Sequence, residues 1–279
     1  MKEIINISVG SKVTRSGDMK ANTQSLKDKW ISTRDRLDGA RLRMFCLPHA
    51  GSGAAAYQTW KREMPSFVEL CAVRLPGRET RIAESAYSSS RELVRAMADA
   101  LMEDCEMPYV IFGHSMGAVL GFELVHELKS RGAQEPLAMF LSGRVAAHLK
   151  ISAKPLHDLP LDEFIREIEA RYGGLPREVL ADKEMLDFYL PILKTDLQLI
   201  ETYSYEAKPS LHCPMLVAGG MEDQSIWADG LAAWKEHTTG AFDILRYDGG
   251  HFYLAGPAKA DLLQMLRNKL ISLESGLHV

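Results

Sequence analysis

The sequence predicts an α/β fold in which a mostly parallel central sheet carries helices on both faces. Short apolar runs that favour strands alternate with amphipathic stretches at helical spacing, and turn residues separate them. This alternation continues from residue 42 to about residue 273, and no internal repeat or low-complexity tract interrupts it. With 279 residues, 46% of them hydrophobic and 25% charged, the chain is long enough for one large core, and no second domain is required.

Predicted strands and helices alternate along the chain. The expected strands cover residues 42–47, 70–75, the run that begins at 109, and then 137–142, 214–219 and 242–247. The expected helices cover residues 54–64, 90–105, the stretch from 117 to a stop at Gly132, then 226–237 and 257 to about 273. Because helices separate most of these strands, the strands are expected to run parallel.

About seventy residues between 143 and 214 carry helical patterns and no strand. One predicted helix covers 161–172 and ends at Gly173-Gly174, and another covers 183–203 with a kink or restart at Pro191. We expect an inserted helical lid at about 144–212. Most of its apolar side chains are expected to pack, and a minority to line a pocket. These side chains are Phe164, Ile165, Ile168, Met185, Leu186, Leu190, Ile192, Leu193, Leu197 and Ile200.

Residues 1–38 are polar, mixed in charge and weakly periodic, which predicts a loosely ordered N-terminal extension with Trp30 as a docking point. Residues 39–279 are then expected to form a single domain. A net charge of −4 and the lack of a basic stripe disfavour nucleic-acid binding. The apolar runs are far shorter than the roughly 18 residues of a membrane helix, and no signal segment is recognisable, so a soluble, cytoplasmic protein is expected.

The four cysteines are widely spaced and show no Cys-x-x-Cys pattern, which favours buried free thiols over disulfides or a metal site. They are Cys46, Cys71, Cys105 and Cys213.

The run Gly113-His114-Ser115-Met116-Gly117 has the form Gly-x-Ser-x-Gly and lies between a predicted strand and a predicted helix. In that context the pattern indicates a nucleophile elbow, in which glycines remove side chains where strand and helix cross. Ser115 is therefore the candidate nucleophile. A serine hydroxyl needs a base to take its proton and an acid to orient that base.

Asp223 and His251 are the candidate partners of Ser115, since each follows a predicted strand and their chain order is Ser, Asp, His. Glu222 is the nearest rival for the acid. The other eight histidines lie in helices, in or beside the lid segment, or at the tail, apart from two that adjoin the elbow and the first strand. His114 adjoins the nucleophile, but strand alternation directs its side chain away from Ser115, so a structural or pocket-lining role is expected.

An acyl-transfer site also needs donors for an oxyanion. One expected donor is the backbone N–H of Met116, which follows the nucleophile. The second is expected from residues 48–53, Pro-His-Ala-Gly-Ser-Gly, where small side chains allow the backbone to approach a substrate oxygen.

Five motifs in this order resemble those of the type II thioesterases that accompany polyketide and nonribosomal peptide synthases, over about residues 40 to 270. They are the 48–53 loop, Leu75-Pro76-Gly77-Arg78, the elbow, Asp223 and Gly250-His251-Phe252. The resemblance implies an α/β-hydrolase fold and an enzyme that hydrolyses acyl groups from the phosphopantetheine thiol of acyl or peptidyl carrier proteins, freeing stalled synthases.

Transferred by motif, the resemblance implies Ser115 as nucleophile, His251 as general base and Asp223 as orienting acid. It also implies the backbone N–H groups of Ala50 and Met116 as the oxyanion hole. No cofactor is expected, because the substrate itself carries phosphopantetheine, and a monomer is the default expectation. One departure is that Ser52 stands where the family usually has a second glycine. For Arg78 a structural ion pair is favoured over catalytic support.

Two other functions remain open from the residues alone. A triad of this kind also hydrolyses oxygen esters, so a carboxylesterase or lipase-like enzyme is the first alternative. A non-catalytic binding protein with the same fold is the second.

Overall fold

The computed structural model describes residues 29–31, 37–151 and 153–278. The extension expected at residues 1–38 therefore lies largely outside the described residues. Among the described residues of this part of the chain, Trp30 is buried, Ile31 bridges to Val73, and the guanidinium of Arg81 lies 4.3 Å from the centre of the Trp30 ring. Trp30 thus docks on the core, as expected.

Six strands form one parallel sheet in the order β2-β1-β3-β4-β5-β6. Their bounds are Leu42–Leu47 (β1), Val68–Ala72 (β2), Tyr109–His114 (β3), Ala138–Ser142 (β4), Met215–Gly220 (β5) and Phe242–Tyr247 (β6). In this order β3 lies near the middle of the sheet, between β1 and β4, and β5 and β6 follow on the side of β4. The carboxyl ends of β3, β5 and β6 therefore lie at one edge, where the residues that follow them come together.

Seven α-helices connect and cover the sheet among the described residues. They are Ser90–Leu101 (α1), Met116–Ser130 (α2), Leu161–Tyr172 (α3), Arg177–Ala181 (α4), Lys183–Glu201 (α5), Ala228–Ala232 (α6) and Lys259–Ser275 (α7). Short 3-10 helices extend or replace several of them, at Ala54–Glu63, Glu79–Arg81, Met102–Glu106, Ala233–His237, Tyr253–Ala255 and Gly276–His278. The described helices include none that is both long and apolar enough to span a bilayer.

The predicted elements match the observed ones with local differences. The first and last strands and the helix at 161–172 have the expected bounds, and the other strands differ by one to three residues at an end. The stretch at 54–64 is a 3-10 helix rather than an α-helix, and the helices expected at 90–105 and 226–237 each divide into an α-helix and a 3-10 turn. Helix α4 was not predicted.

Strands β1 to β5 are buried on both faces, whereas the edge strand β6 has exposed residues at Asp243, Ile244 and Arg246. Alternate residues of β1 point to opposite sides of the sheet. Phe45 and Leu47 pack with α1 and α2, while Met44 and Cys46 pack with the 3-10 helix Ala54–Glu63 and with α7. Helices α3, α4 and α5 occupy the segment predicted as a lid and are called the lid helices below. A third, smaller apolar cluster packs α3 against α5 around Phe164. All four cysteines are buried and free, as expected.

Candidate active site

Ser115 lies at the sharp turn between β3 and α2. Its backbone has φ 55° and ψ −115°, a conformation that side chains rarely adopt, and its N–H donates to the Ser142 carbonyl at 2.7 Å. The turn depends on its two glycines. A Cβ at Gly113 would collide with the Gly117 carbonyl, and a Cβ at Gly117 would collide with the Leu47 carbonyl. The hydroxyl of Ser115 is thereby held out from the sheet edge.

The structure brings Ser115, His251 and Asp223 together from three separate loops. The Nε2 atom of His251 lies 3.0 Å from the Ser115 Oγ, and its Nδ1 atom lies 2.8 Å from the Asp223 Oδ2. The tautomer with the proton on Nδ1 donates to Asp223 and accepts the hydroxyl of Ser115. Asp223 and His251 are buried. Glu222 is exposed, and its backbone N–H donates to the Gly249 carbonyl at 3.0 Å.

Ser225 is a member of this network that the sequence analysis missed. Its hydroxyl donates to the Asp223 Oδ1 at 2.6 Å and lies 3.1 Å from the His251 Nδ1, and its backbone N–H also bonds Asp223, at 2.9 Å. Burial alone would raise the pKa of Asp223, but the bonds from His251 and Ser225 outweigh burial and hold that pKa below its ordinary 3.8. Asp223 is therefore a carboxylate at neutral pH.

Two further histidines flank the base without joining the chain of hydrogen bonds to Ser115. His114 is fully buried, its Nδ1 lies 2.8 Å from the Ser142 Oγ, and its ring centre lies 5.0 Å from that of His251. Burial first, and then the charges of the other two histidines, lowers the pKa of His114 well below 6.5. Burial likewise lowers the pKa of His49 to about 4. Both rings are neutral, so neither adds positive charge beside His251; His49 lines the cavity, and His114 is fully buried.

The 48–53 loop lies beside Ser115, and Ala50 faces the same cavity. Within the described part of the chain, the backbone N–H groups of Ala50 and Met116 have no hydrogen-bond acceptor. The next N–H, that of Gly51, donates to the Asp196 Oδ2 at 2.8 Å. The hydroxyl of Ser52 donates to the His49 carbonyl at 2.9 Å, so it stabilises the loop and is directed away from Ser115.

A buried ion pair joins the lid to this loop. The guanidinium of Arg78 forms a bidentate pair with Asp196 of helix α5, at 2.5 and 2.6 Å, and also donates to the Ser52 carbonyl at 2.8 Å. Arg78 and Asp196 are almost fully buried. Arg78 thus has the structural ion pair that was favoured from sequence, but its partner was not anticipated. A buried guanidinium needs a carboxylate partner, and this requirement was the signal from which a partner of Arg78 could have been expected.

Glu79 holds the loop from its other end. Its carboxylate accepts the backbone N–H groups of Ala54 and Ala55 at 3.1 and 2.9 Å, at the start of the 3-10 helix. Its own φ of 49° is in the left-handed region. Together, the Arg78-Glu79 pair fixes both ends of the segment that follows Ala50.

The catalytic edge opens into a cavity of about 410 Å³ beneath the lid. Most of its lining is apolar, and Tyr172 covers the base, with its ring centre 4.8 Å from that of His251. Four of the ten lid residues considered above line the cavity, namely Ile168, Leu193, Leu197 and Ile200. Met185, another of the ten, is exposed, and so is Phe188 of α5, which was not among them. The apolar lining and the nearby hydroxyl, imidazole and carboxylate suit the cleavage of an acyl compound.

The parallel sheet, the strained serine turn and the ordered serine, histidine and aspartate define a serine hydrolase with the α/β-hydrolase fold. The family model for thioesterase domains matches residues 42–270, more than four fifths of the chain. The chain therefore belongs to the thioesterase domain family, and it is a serine hydrolase that acts on thioesters.

Relatives from biosynthetic pathways support the same assignment. The gramicidin S biosynthesis protein GrsT of Aneurinibacillus migulanus is 33% identical, over 87% of this chain and 94% of GrsT. The thioesterase RedJ from the prodiginine pathway of Streptomyces coelicolor is 35% identical, with a TM-score of 0.77 over 82% of this chain and 90% of RedJ. The type II thioesterase BorB from the borrelidin biosynthetic cluster is 31% identical, with a TM-score of 0.78 over 86% of this chain and 97% of BorB.

Proposed function

We propose that this enzyme hydrolyses acyl groups from the phosphopantetheine thiol of acyl or peptidyl carrier proteins, and so frees polyketide or nonribosomal peptide synthases that carry stalled units. One observation carries the proposal: in a thioesterase-family chain, Ser115, His251 and Asp223 are hydrogen-bonded in series at the floor of an apolar cavity. GrsT is a gramicidin S biosynthesis protein and BorB is a type II thioesterase from the borrelidin biosynthetic cluster, which supports this substrate class.

In the acylation half of the reaction, the Ser115 Oγ attacks the thioester carbonyl carbon while the His251 Nε2 takes the hydroxyl proton. Asp223 orients the imidazole and stabilises its positive charge. The negative charge on the carbonyl oxygen is placed between the N–H groups of Ala50 and Met116. The carbon–sulfur bond then breaks, and the departing sulfur takes the proton from His251. A thiol pKa near 8.5 makes this sulfur a good leaving group.

In the deacylation half, His251 takes a proton from a water molecule that attacks the acyl-serine carbonyl carbon. The same two N–H groups stabilise the second oxyanion, and the proton on His251 returns to the Ser115 Oγ as the free acid leaves. The neutral state of His49 and His114 serves this cycle, because a positive ring beside His251 would disfavour its protonation.

The partner in this proposal is a carrier protein that delivers the acyl thioester to the cavity under the lid. No cofactor is required beyond the phosphopantetheine that the substrate carries. The monomeric state and the cytoplasmic location expected from the sequence stay predictions.

The test compares acyl groups presented on different leaving groups. The purified enzyme is given an acylated, phosphopantetheinylated carrier protein and the p-nitrophenyl ester of the same acid, and we expect a higher kcat/KM on the carrier thioester. Ser115→Ala is expected to abolish turnover of both. Ser130→Ala, a serine on the same helix whose hydroxyl bonds the Glu127 carbonyl, is the matched control and should retain full activity. Ester hydrolysis without carrier thioester hydrolysis would instead favour a carboxylesterase.

A further inference from the structure

Arg144 is held at the catalytic edge by its backbone rather than by its side chain. It follows β4 two residues after Ser142, whose carbonyl accepts the N–H of Ser115. The neighbouring Gly143 N–H donates to the Ala218 carbonyl at 2.8 Å, and the Trp234 indole donates to the Arg144 carbonyl at 2.9 Å. The position of this arginine relative to the nucleophile is therefore fixed, while its guanidinium forms no hydrogen bond or ion pair with any residue that the structure describes.

The side chain of Arg144 lies in the wall between two cavities. One is the cavity of about 410 Å³ that contains Ser115, and the other is a neighbouring cavity of about 620 Å³. Arg144, Tyr172 and Ile200 line both. A thioester has two arms, the acyl group and the pantetheine, and both extend from the reacting carbon. An arginine at the junction of two cavities is in reach of either arm.

The charge of Arg144 has no carboxylate partner among the described residues. The buried arginines Arg78 and Arg81 each hold a carboxylate. Glu201, which lines the larger cavity with Arg144, is already bonded to His157 at 2.6 Å and to the Leu156 backbone N–H at 2.8 Å. Arg144 is only partly buried, and a partly desolvated cation without a counter-charge favours the binding of an incoming anion.

The protonation of Arg144 agrees with this geometry. Burial lowers the pKa of its guanidinium below the ordinary 12.5, against the opposing influence of Tyr172, Tyr203 and Glu201. The group remains positive at neutral pH. The downward direction means that the surroundings in the free enzyme do not fully compensate the charge.

We propose that Arg144 binds an oxyanion carried by the thioester substrate, and that it thereby determines which substrates are hydrolysed efficiently. Planar oxyanions match the fork of the guanidinium, which donates two parallel hydrogen bonds to a carboxylate or phosphate. The anion has two possible sources, the phosphate at the far end of phosphopantetheine and a carboxylate on a dicarboxylic acyl group. This inference rests on the proposed function, because it assumes a carrier-type thioester.

Three small substrates separate these sources. Propionyl-pantetheine carries no anion, propionyl-phosphopantetheine adds the phosphate, and succinyl-pantetheine adds an acyl carboxylate. We expect Arg144→Met to lose about tenfold or more in kcat/KM on the substrate whose anion Arg144 binds, and less than about threefold on propionyl-pantetheine. Arg144→Lys should recover part of the loss, because it keeps the charge but not the fork.

The control is Arg267→Met, which removes an exposed positive charge on helix α7, outside both cavities. It should affect all three substrates by less than about twofold. A selective loss on the phosphate substrate assigns Arg144 to the pantetheine arm, and a selective loss on the succinyl substrate assigns it to the acyl arm. An equal loss on all three, or no loss on any, would overturn the inference. If the wild-type enzyme hydrolyses none of them and no carrier-bound thioester, the proposed function fails instead.

Discussion

Ser52 shows how a departure from a family motif is absorbed by its immediate surroundings. Its hydroxyl and its backbone N–H both donate to the His49 carbonyl, and its own carbonyl accepts Arg78. All three bonds lie within the loop or towards Arg78, and none is directed to Ser115. The extra hydroxyl therefore strengthens the turn that presents Ala50.

We predict that Ser52→Gly leaves kcat/KM on an acyl thioester within about threefold of wild type, because the hydroxyl does not contact the reacting atoms. The free energy of unfolding should fall by about 1–2 kcal/mol, from the lost hydrogen bond and the greater freedom of glycine in the unfolded chain. Steady-state kinetics and urea unfolding measure the two quantities. A large gain or loss in kcat with unchanged stability would show that the hydroxyl acts on the oxyanion.

The two neighbouring acids 222 and 223 give a second test at this scale. Asp223→Asn should reduce kcat roughly 1,000- to 10,000-fold, because the amide favours the wrong imidazole tautomer and cannot stabilise the imidazolium. Glu222→Gln should leave kcat nearly unchanged, since Glu222 is exposed. Both variants are compared in a thiol-release assay. The opposite pattern would mean that Glu222 is the orienting acid.

The residues that sequence reasoning located differ in kind from those it missed. Ser115, Asp223 and His251 each follow an apolar strand, so their local sequence carries a signal that places them at the sheet edge. Asp196 does not have such a signal, and Ser225 lies on the same loop as Asp223 but forms its bonds to Asp223 and His251 only in the folded structure. Asp196 lies among apolar helical residues, and its role depends on an ion pair with Arg78, which is 118 positions away in the chain.

At the scale of elements, the lid and the catalytic loop form one hydrogen-bonded unit. Asp196 of helix α5 accepts both the Arg78 guanidinium and the Gly51 N–H, so a single carboxylate connects the lid, the 48–53 loop and the segment after β2. The same helix presents Tyr189 to the loop, close to Gly51. Movement of the lid helix is therefore coupled to the position of the Ala50 N–H.

We predict that Asp196→Ala lowers the free energy of unfolding by about 3–5 kcal/mol, because it leaves the buried Arg78 without a counter-charge. The kcat should fall more than KM rises, since the loop that carries Ala50 loses an anchor. The matched control is Glu167→Gln, which breaks the more exposed ion pair with Arg171 on lid helix α3 and should cost less than about 1 kcal/mol. A similar small cost for both variants would contradict the coupling.

Element prediction succeeded where the pattern was long enough to be specific. The first strand is a short, nearly continuous apolar run, and helix α3 has a clear period of 3.6 residues and ends at the left-handed Gly173, so their bounds were predictable. Helix α4 has only five residues, fewer than two turns. The stretch Ala54–Glu63 satisfies a helical pattern, but whether it closes as an α- or a 3-10 helix depends on how Tyr57 and Trp60 pack under the sheet.

At the scale of the whole molecule, four histidines are kept neutral in the fold. Burial is the leading cause in each case. Burial lowers the pKa of His49, His126 and His237 to about 4. It also lowers the pKa of His114 well below its ordinary value. In the unfolded chain these groups take up protons near 6.5.

We predict that the protein loses stability as pH falls from about 6.5 towards 4, because in that window the unfolded state binds more protons than the folded state. The Tm should be lower at pH 5 than at pH 7. His126→Leu should reduce this difference, since His126 packs on Phe122 and its Nε2 has no partner within the described part of the chain. Differential scanning fluorimetry at the two pH values measures the effect, and an unchanged or higher Tm at pH 5 would contradict it.

The positive φ of Ser115 has a consequence for how this enzyme evolves. A serine in that region costs on the order of 1–3 kcal/mol, which the rest of the fold must offset, whereas glycine adopts the same conformation freely. Ser115→Gly should therefore yield an inactive protein that melts at a higher temperature than the active one. Selection for stability alone would favour glycine at this turn, so a serine there is expected only where its hydroxyl is needed for catalysis.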